Sequence, residues 1–473
     1  METLRQSMTW MHTWTGLLFG WMLYFMFLTG SAGYYDTEID RWMQPEAAPM
    51  VRVADNEAAL FEMALERAEQ GLPNADEHRV FLPGERSFPY IRVFSLKRDE
   101  EGKITTNSLQ LLADGTEPPE ARETAGGQRL YRMHWTYHYI PRVIGEIIAG
   151  FVTVFMFAAI ISGIITHKKI FKDFFTLRLG KGQRSWLDSH NIVSVMSLPF
   201  QIMITFSGLL LVITTFFIPI FVAQYGWSSN TIKEVEAEMF SGRGQIERTG
   251  QPAPPIDFAA LKTTFEEKLP GEKISYATVY NLGDTSSKVS LAARIDDGVL
   301  RRSPLISVKV DTGEILNVTN RNVRDTQDVI NVVEGLHEGL FAGPILRIVY
   351  FLSGLLGAAM ISTGLVLWTK KRRQNLRKGE AAERNLVIIE RLNVGVVAGL
   401  AIGIAAYFYA NRLLPVGMSG RADMELNVLF LTWLIMVIHS LARPPQKAWI
   451  EQLAIAAAIF AFIPIMNALT SSL

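Results

Sequence analysis

Seven stretches of this chain are long and apolar enough to cross a lipid bilayer, at roughly 13–34, 142–166, 191–222, 344–369, 388–410, 425–442 and 449–469. Most exceed the about 20 residues that a helix rising 1.5 Å per residue needs to cross about 30 Å of hydrocarbon. This feature sets the fold class as an α-helical membrane protein. Composition agrees, with 49% of the 473 residues hydrophobic and only 19% charged. The first stretch has too long an apolar run for a signal peptide, and Gly30-Ser31-Ala32-Gly33 leads into aromatics rather than a cleavage site, so it is expected to be retained as a span.

Formal net charge is zero, which gives no case for nucleic acid or another polyanion as a partner. The distribution of charge is informative. Lys168, Lys169, Lys172, Arg178, Lys181 and Arg184 crowd the loop between spans two and three, while Lys370, Lys371, Arg372, Arg373, Arg377 and Lys378 follow span four. The positive-inside rule makes both loops cytoplasmic. It follows that the N-terminus is inside, that the long loops at about 35–141 and 223–343 are outside, and that the C-terminus is outside. The expected division is 1–34, 35–141, 142–222, 223–343, 344–384 and 385–473, the last being a three-helix membrane module.

The chain contains no cysteine, which excludes disulfides, thiolate-ligated iron–sulfur clusters, c-type haem attachment and a cysteine nucleophile. It has no Walker loop, no GxGxxG after a strand, no HExxH and no nucleophile elbow. Nucleotide-driven transport and an internal nicotinamide or flavin module are therefore unsupported.

Each long loop carries the same order of signals. The first has a helical run at Glu57–Gln70, then GLP, a strand-like Tyr90–Leu96 and the run SLQLLADGTEP. The second has a helical run at Phe258–Lys268, then LPG, strand-like SYATVYNL and KVSLAARI, and LISVKVDTGEILNV. The DG and TG dipeptides between alternating apolar residues are tight-turn signals. Two small α+β domains, one per loop, are expected.

VKVDTGEIL resembles the strand–turn–strand end of a PepSY domain, with LLADGTEP a looser version. WMHTWTGLLFGWMLYFMFLTG, SGIITHKKIFKDFFTLR, SHNIVSVMSLPF and LHEGLFAGPILRIVYFLSGLLGAAMISTGLVLW resemble successive blocks of the PepSY-associated transmembrane family. The resemblance covers about residues 1–375. It implies an iron-regulated protein of the bacterial inner membrane, similar to siderophore reductases, with a ferric siderophore as substrate.

Of the eight histidines, only His78 lies well away from a predicted span, in a polar loop where a solvated residue is expected. His12, His167, His190 and His439 cluster at the cytoplasmic boundary, and His134, His138 and His337 at the outer one. Haem needs two axial ligands on opposite sides of a flat apolar ring, which imidazoles from neighbouring helices supply. Lys168, Lys169 and Arg184 inside, and Arg142 and Arg347 outside, are available to neutralise propionates.

Two b-type haems stacked across the bilayer explain two clusters better than one. The expected outer pair is His138 with His337, with His134 as the substitute; His12, His167 and His190 are the inner candidates, and sequence selects no pair among them. On a continuous helix His134 and His138 would share one face, a weak signal for a transition-metal ion. Glu146 and Glu390 are further candidates as acids near or within spans. The expected function is a haem-b-containing ferric-siderophore reductase, with quinol or a separate cytoplasmic reductase supplying electrons. The alternatives are a PepSY-based peptide-binding or protease-regulating anchor without a redox cofactor, and an iron or siderophore transporter.

Overall fold

A computed structural model describes residues 3–471 except 48, 50, 54–55, 85–87, 100–102, 168, 217–222, 225, 227–246, 296–297, 323–325 and 377–380. Of the basic residues named above, Lys168, Arg377 and Lys378 therefore lie outside the described residues. The chain forms two compact units, one made of Met1–Pro45, Ala121–Phe216 and Leu336–Leu473 and the other of Glu46–Glu120 and Phe217–Gly335.

Among the described residues, the first unit holds seven helices long and apolar enough to span a membrane. They are α1 (Leu4–Ala32), α5 (Arg142–Thr166), α7 (Gln183–Phe216), α10 (Pro344–Asn375), α11 (Ala381–Leu413), α12 (Arg421–Ala442) and α13 (Pro445–Thr470). Thr3 starts α1 with a capping box, its hydroxyl accepting from the Gln6 N–H while the Gln6 side chain accepts from the Thr3 N–H. Leu23 and Phe25 of α1 belong to one buried cluster with Val152 and Met156 of α5 and Ala358 of α10. The three-helix module docks on the same core. Trp21 Nε1 donates to Asn393 Oδ1 of α11 at 2.8 Å, and the Tyr24 hydroxyl donates to the Val397 carbonyl at 3.1 Å.

Two pieces of the first long loop fold onto this unit instead of joining the strands. Helix α2 (Asp36–Met43) continues from α1 through a single 3-10 turn, and α4 (Gly126–Arg132) packs beside it. Their contact is close because residue 127 is glycine; a Cβ there would come within 2.2 Å of the Asp36 carbonyl oxygen. Segment 122–126 is locked to α11 and α12 by a buried ionic cluster. Arg421 and Glu425 are both fully buried and paired. Glu425 also accepts from the Thr124 hydroxyl at 2.7 Å, the Ala125 N–H at 3.0 Å and Asn411 Nδ2 at 2.9 Å.

In the second unit, α3 (Glu57–Gly71) and α8 (Phe258–Lys268) pack on a seven-stranded antiparallel sheet. The strands are β1 (Glu77–Phe81), β2 (Ile91–Arg98), β3 (Ile104–Leu111), β4 (Ile274–Tyr280), β5 (Lys288–Ala293), β6 (Leu305–Lys309) and β7 (Ile315–Thr319), in the order β3-β2-β1-β4-β5-β6-β7. The expected helices and the VKVDTGEIL hairpin all form, with Gly313 at φ 70° in the turn. Sequence did not reveal β1 or its pairing with β4, which joins the strands of both loops into one sheet.

Strand β1 also corrects the expectation for His78. Its ring is fully buried, with Nδ1 2.8 Å from Ser95 Oγ and Nε2 3.2 Å from Glu69 Oε2. A strand in which alternate residues face the helices carries it inward, which a polar-looking loop disguised.

Candidate functional site: two pairs of opposed histidines

At the end of the membrane unit that carries the basic loops, the rings of His12 on α1 and His190 on α7 stand 6.3 Å apart, centre to centre, at 59°. His12 Nδ1 lies 2.8 Å from the Ala159 carbonyl of α5, and His190 Nδ1 lies 2.9 Å from the Met360 carbonyl of α10. A carbonyl only accepts, so each Nδ1 carries the proton and each Nε2 keeps a lone pair.

At the opposite end, His134, in the turn after α4, and His337, near the end of α9 (Thr326–Glu338), also have ring centres 6.3 Å apart, here at 23°. His134 Nδ1 donates to the Tyr131 carbonyl at 2.6 Å. His337 Nδ1 is 2.9 Å from Ser207 Oγ, whose hydroxyl is already donated to the Met203 carbonyl at 2.6 Å, so this nitrogen too is the donor. Burial pushes His134 down to about 4, and burial together with the neighbouring His134 pushes His337 down to about 3, which keeps both rings neutral at physiological pH. Among the described residues no Nε2 of the four has a hydrogen-bond partner.

Each ring is seated against a glycine of a neighbouring helix: His12 against Gly163, His190 against Gly364, His337 against Gly208 and His134 against Gly30. At the inner pair the device repeats. The glycine lies one turn beyond the accepting carbonyl, Gly163 after Ala159 and Gly364 after Met360, so the missing Cβ leaves that carbonyl open to a second donor. Along α7, His190 and Gly208 are 18 residues apart, as are His12 and Gly30 along α1; either count separates the two sites by about 27 Å.

The spacing can be tested against a metal. An imidazole nitrogen about 2 Å from a metal ion puts its ring centre about 3.15 Å away, so two imidazoles on opposite sides of one ion have centres about 6.3 Å apart. Both pairs match. Two ligands are too few for a bare transition-metal ion, and among the described residues no group of three or more His, Asp and Glu could hold one. Two neutral imidazoles are instead the donor set of haem iron, whose remaining ligands come from the macrocycle.

The remaining histidines lie elsewhere. His138 is not the partner of His337; it stacks on Phe430 at 5.9 Å and lies 3.3 Å from Arg129 Nη2. The chain between His134 and His138 is a series of turns, not a helix, so no face is shared. His167 caps α5, with Nε2 3.8 Å from Asp173 of the short helix α6 (Ile170–Asp173) and Nδ1 buried without a hydrogen-bond partner; it lies within electrostatic reach of His190 but makes no ring pair with it or with His12. His439 engages Glu451 at 3.0 Å and Gln452 at 3.2 Å, leaving neither nitrogen free. Of the charged candidates, Arg142 pairs with Glu146, Arg347 with Glu38, and Glu390 with Arg373.

The partnership of His134 with His337 and the seating of the rings on Gly30, Gly163 and Gly208 were missed in sequence. The small residues Gly20, Gly354, Gly357 and Gly364 read there as helix packing or as room for a flat macrocycle; the first three meet Leu365, Ser31 and Phe27, and Gly364 meets His190. No curated protein matches the chain. A family model described as the PepSY-associated TM region matches residues 9–371, a span that includes all four paired histidines and stops before α11. The chain belongs to the PepSY-associated transmembrane family.

Proposed function

We propose that the protein is a haem-b-containing reductase of the bacterial inner membrane that moves electrons outward to a ferric siderophore and releases iron(II) there. The observation that carries this reading is the repeated histidine pair, with rings 6.3 Å apart, Nδ1 donated and Nε2 open, once at each end of the bundle. His12 with His190, and His134 with His337, would hold one haem each. Bound haem supplies a one-electron carrier at each level.

The chain's own residues fix the ligand tautomers through backbone carbonyls and Ser207, seat the rings through glycines, and bury them away from water. The basic loops support a cytoplasmic position for the His12 end. The β1–β4 pairing supports a common side for both long loops, since strands of one sheet cannot lie on opposite sides of a bilayer. Quinol or a cytoplasmic reductase is the electron donor in this reading.

The test is an optical spectrum of detergent-purified protein from haem-replete cells, oxidised and then reduced with dithionite. Low-spin bis-histidine bands, with two haems per chain and re-oxidation on adding a ferric siderophore, are expected. Colourless protein would refute the reading and leave the peptide-binding anchor.

A further inference from the structure

We propose that the sheet face turned away from α3 and α8 binds an anionic iron chelate built from aromatic, catecholate-type rings. The inference deepens the ferric-chelate reading above and rests on it.

The register defines the face. Residues of the buried core, such as Val80, Val93, Ala277 and Leu291, point to the helices, and their neighbours in each strand point the other way. On that other face an aromatic row crosses three strands. Phe94 of β2 meets Phe81 of β1 at 6.0 Å, and Phe81 meets Tyr276 of β4 at 5.2 Å. Phe94 is 39% exposed, and Phe88, just before β2, is 48% exposed.

Cations are set among these rings. The Arg92 guanidinium lies 3.4 Å over Phe88 and 4.9 Å from Phe94, and the Lys288 ammonium lies 4.5 Å over Tyr280. Among the described residues neither has a carboxylate in an ion pair, and Arg92 Nε is buried without a hydrogen-bond partner. Soluble surfaces usually intersperse both signs of charge. Here the strand positions on this face carry Arg79, Arg92, Arg98, Lys288 and Lys309 against Glu77; Arg79 is paired with Glu77 and Lys309 with Asp311 of the following turn, which leaves Arg92, Arg98 and Lys288 as the surplus.

An occupant must therefore bring negative charge and flat ring faces together. Three catecholate dianions around iron(III) leave three negative charges and present aryl rings for stacking and cation–π contact. A neutral hydroxamate complex offers neither, and an anionic lipid headgroup offers the charge without the rings.

Isothermal titration of the full-length protein tests this, using the iron(III) tris-complex of 2,3-dihydroxybenzoate and, for comparison, neutral iron(III) acetohydroxamate. The catecholate complex is expected to bind at least tenfold more tightly than the hydroxamate. Arg92→Gln and Lys288→Gln should each weaken it about tenfold, and Phe94→Leu severalfold, without a change in melting temperature, because none of the three belongs to the core. Equal affinity for the two complexes, or unchanged affinity in the Arg92→Gln/Lys288→Gln double variant, would overturn the proposal. So would displacement of the chelate by short-chain phosphatidylglycerol, which would assign the face to lipid. Haem content in the same samples keeps the two readings apart. Colourless protein that still binds the catecholate through Arg92 supports the site while removing the reductase, and haem-loaded protein that does not bind it removes the site alone.

Discussion

A Cβ on residue 208 would stand 3.0 Å from Cε1 of His337, so any residue but glycine there would push that ring off α7 by at least a few tenths of an ångström. Gly208→Leu is accordingly expected to displace His337 and abolish the low-spin signal of one haem, while Gly30→Ala, whose added Cβ would meet His134 at an ordinary 3.4 Å, retains it. Reduced-minus-oxidised spectra of the two variants make the comparison. Equal spectra would show that the glycine seat is not needed.

Alanine substitution should sort the histidines into sets. His134→Ala and His337→Ala are expected to lose the same haem, and His12→Ala and His190→Ala the other, so each drops the stoichiometry from two to one. His138→Ala, His167→Ala and His439→Ala should keep both. Pyridine haemochrome quantitation against protein reads this directly, and loss of a haem in His138→Ala would restore the pairing expected from sequence.

Ser207 Oγ lies 2.9 Å from Nδ1 of His337, with the Ile204 carbonyl as a further backbone partner of that ring. Removing such a partner typically weakens metal affinity by about 10–100-fold. Ser207→Ala is therefore expected to release the haem of that site about tenfold more readily to apomyoglobin, with the other site unchanged. Thr363→Ala should do less, because His190 keeps the Met360 carbonyl as its nearer partner.

The Arg421–Glu425 pair has no exposure to solvent. Glu425→Gln leaves a buried guanidinium without its counter-charge, a change that costs about 3–5 kcal/mol. Thermal unfolding followed by tryptophan fluorescence should fall by several degrees. The double variant Arg421→Met/Glu425→Leu is expected to recover much of that loss, since it removes the charge as well as the pairing.

Burial lowers the pKa of His78, against the opposing pull of Glu69. Below the ordinary value of about 6.5 the unfolded chain takes up a proton that the folded sheet resists, so stability falls as pH drops through that region. Amide exchange in β1 and β2, corrected for intrinsic rates, should lose protection between pH 7 and 5.5 in the parent. In His78→Gln the protection is expected to be lower at pH 7 but flatter across the range.

Apolar length was enough to find every span, because the bilayer imposes one requirement on each and does so locally. Helices Glu57–Gly71 and Phe258–Lys268 were legible from their 3.6-residue pattern, and the 311–313 turn from its TG signal. Sequence put His12 and His190 in one group and His134 and His337 in another, the same grouping as the two ring pairs, since distance along a helix gives depth. It could not pair His134 with His337, because rotation about each helix axis and the non-helical turn at 133–135 decide which ring faces which. His78 was hidden for a related reason: a five-residue strand between turns gives too little alternation to show its inward face.

The β1–β4 pairing also imposes an order on biogenesis. Strand β1 emerges with the first loop, but its partner is nearly 200 residues downstream, beyond two further spans. Until that later segment has been made, the half-built sheet presents a bare edge able to recruit a foreign strand. Completion of the sheet thus requires that α5 and α7 cross and return, and a chain in which one of the two failed to insert would part the loops and be left with an unpaired edge.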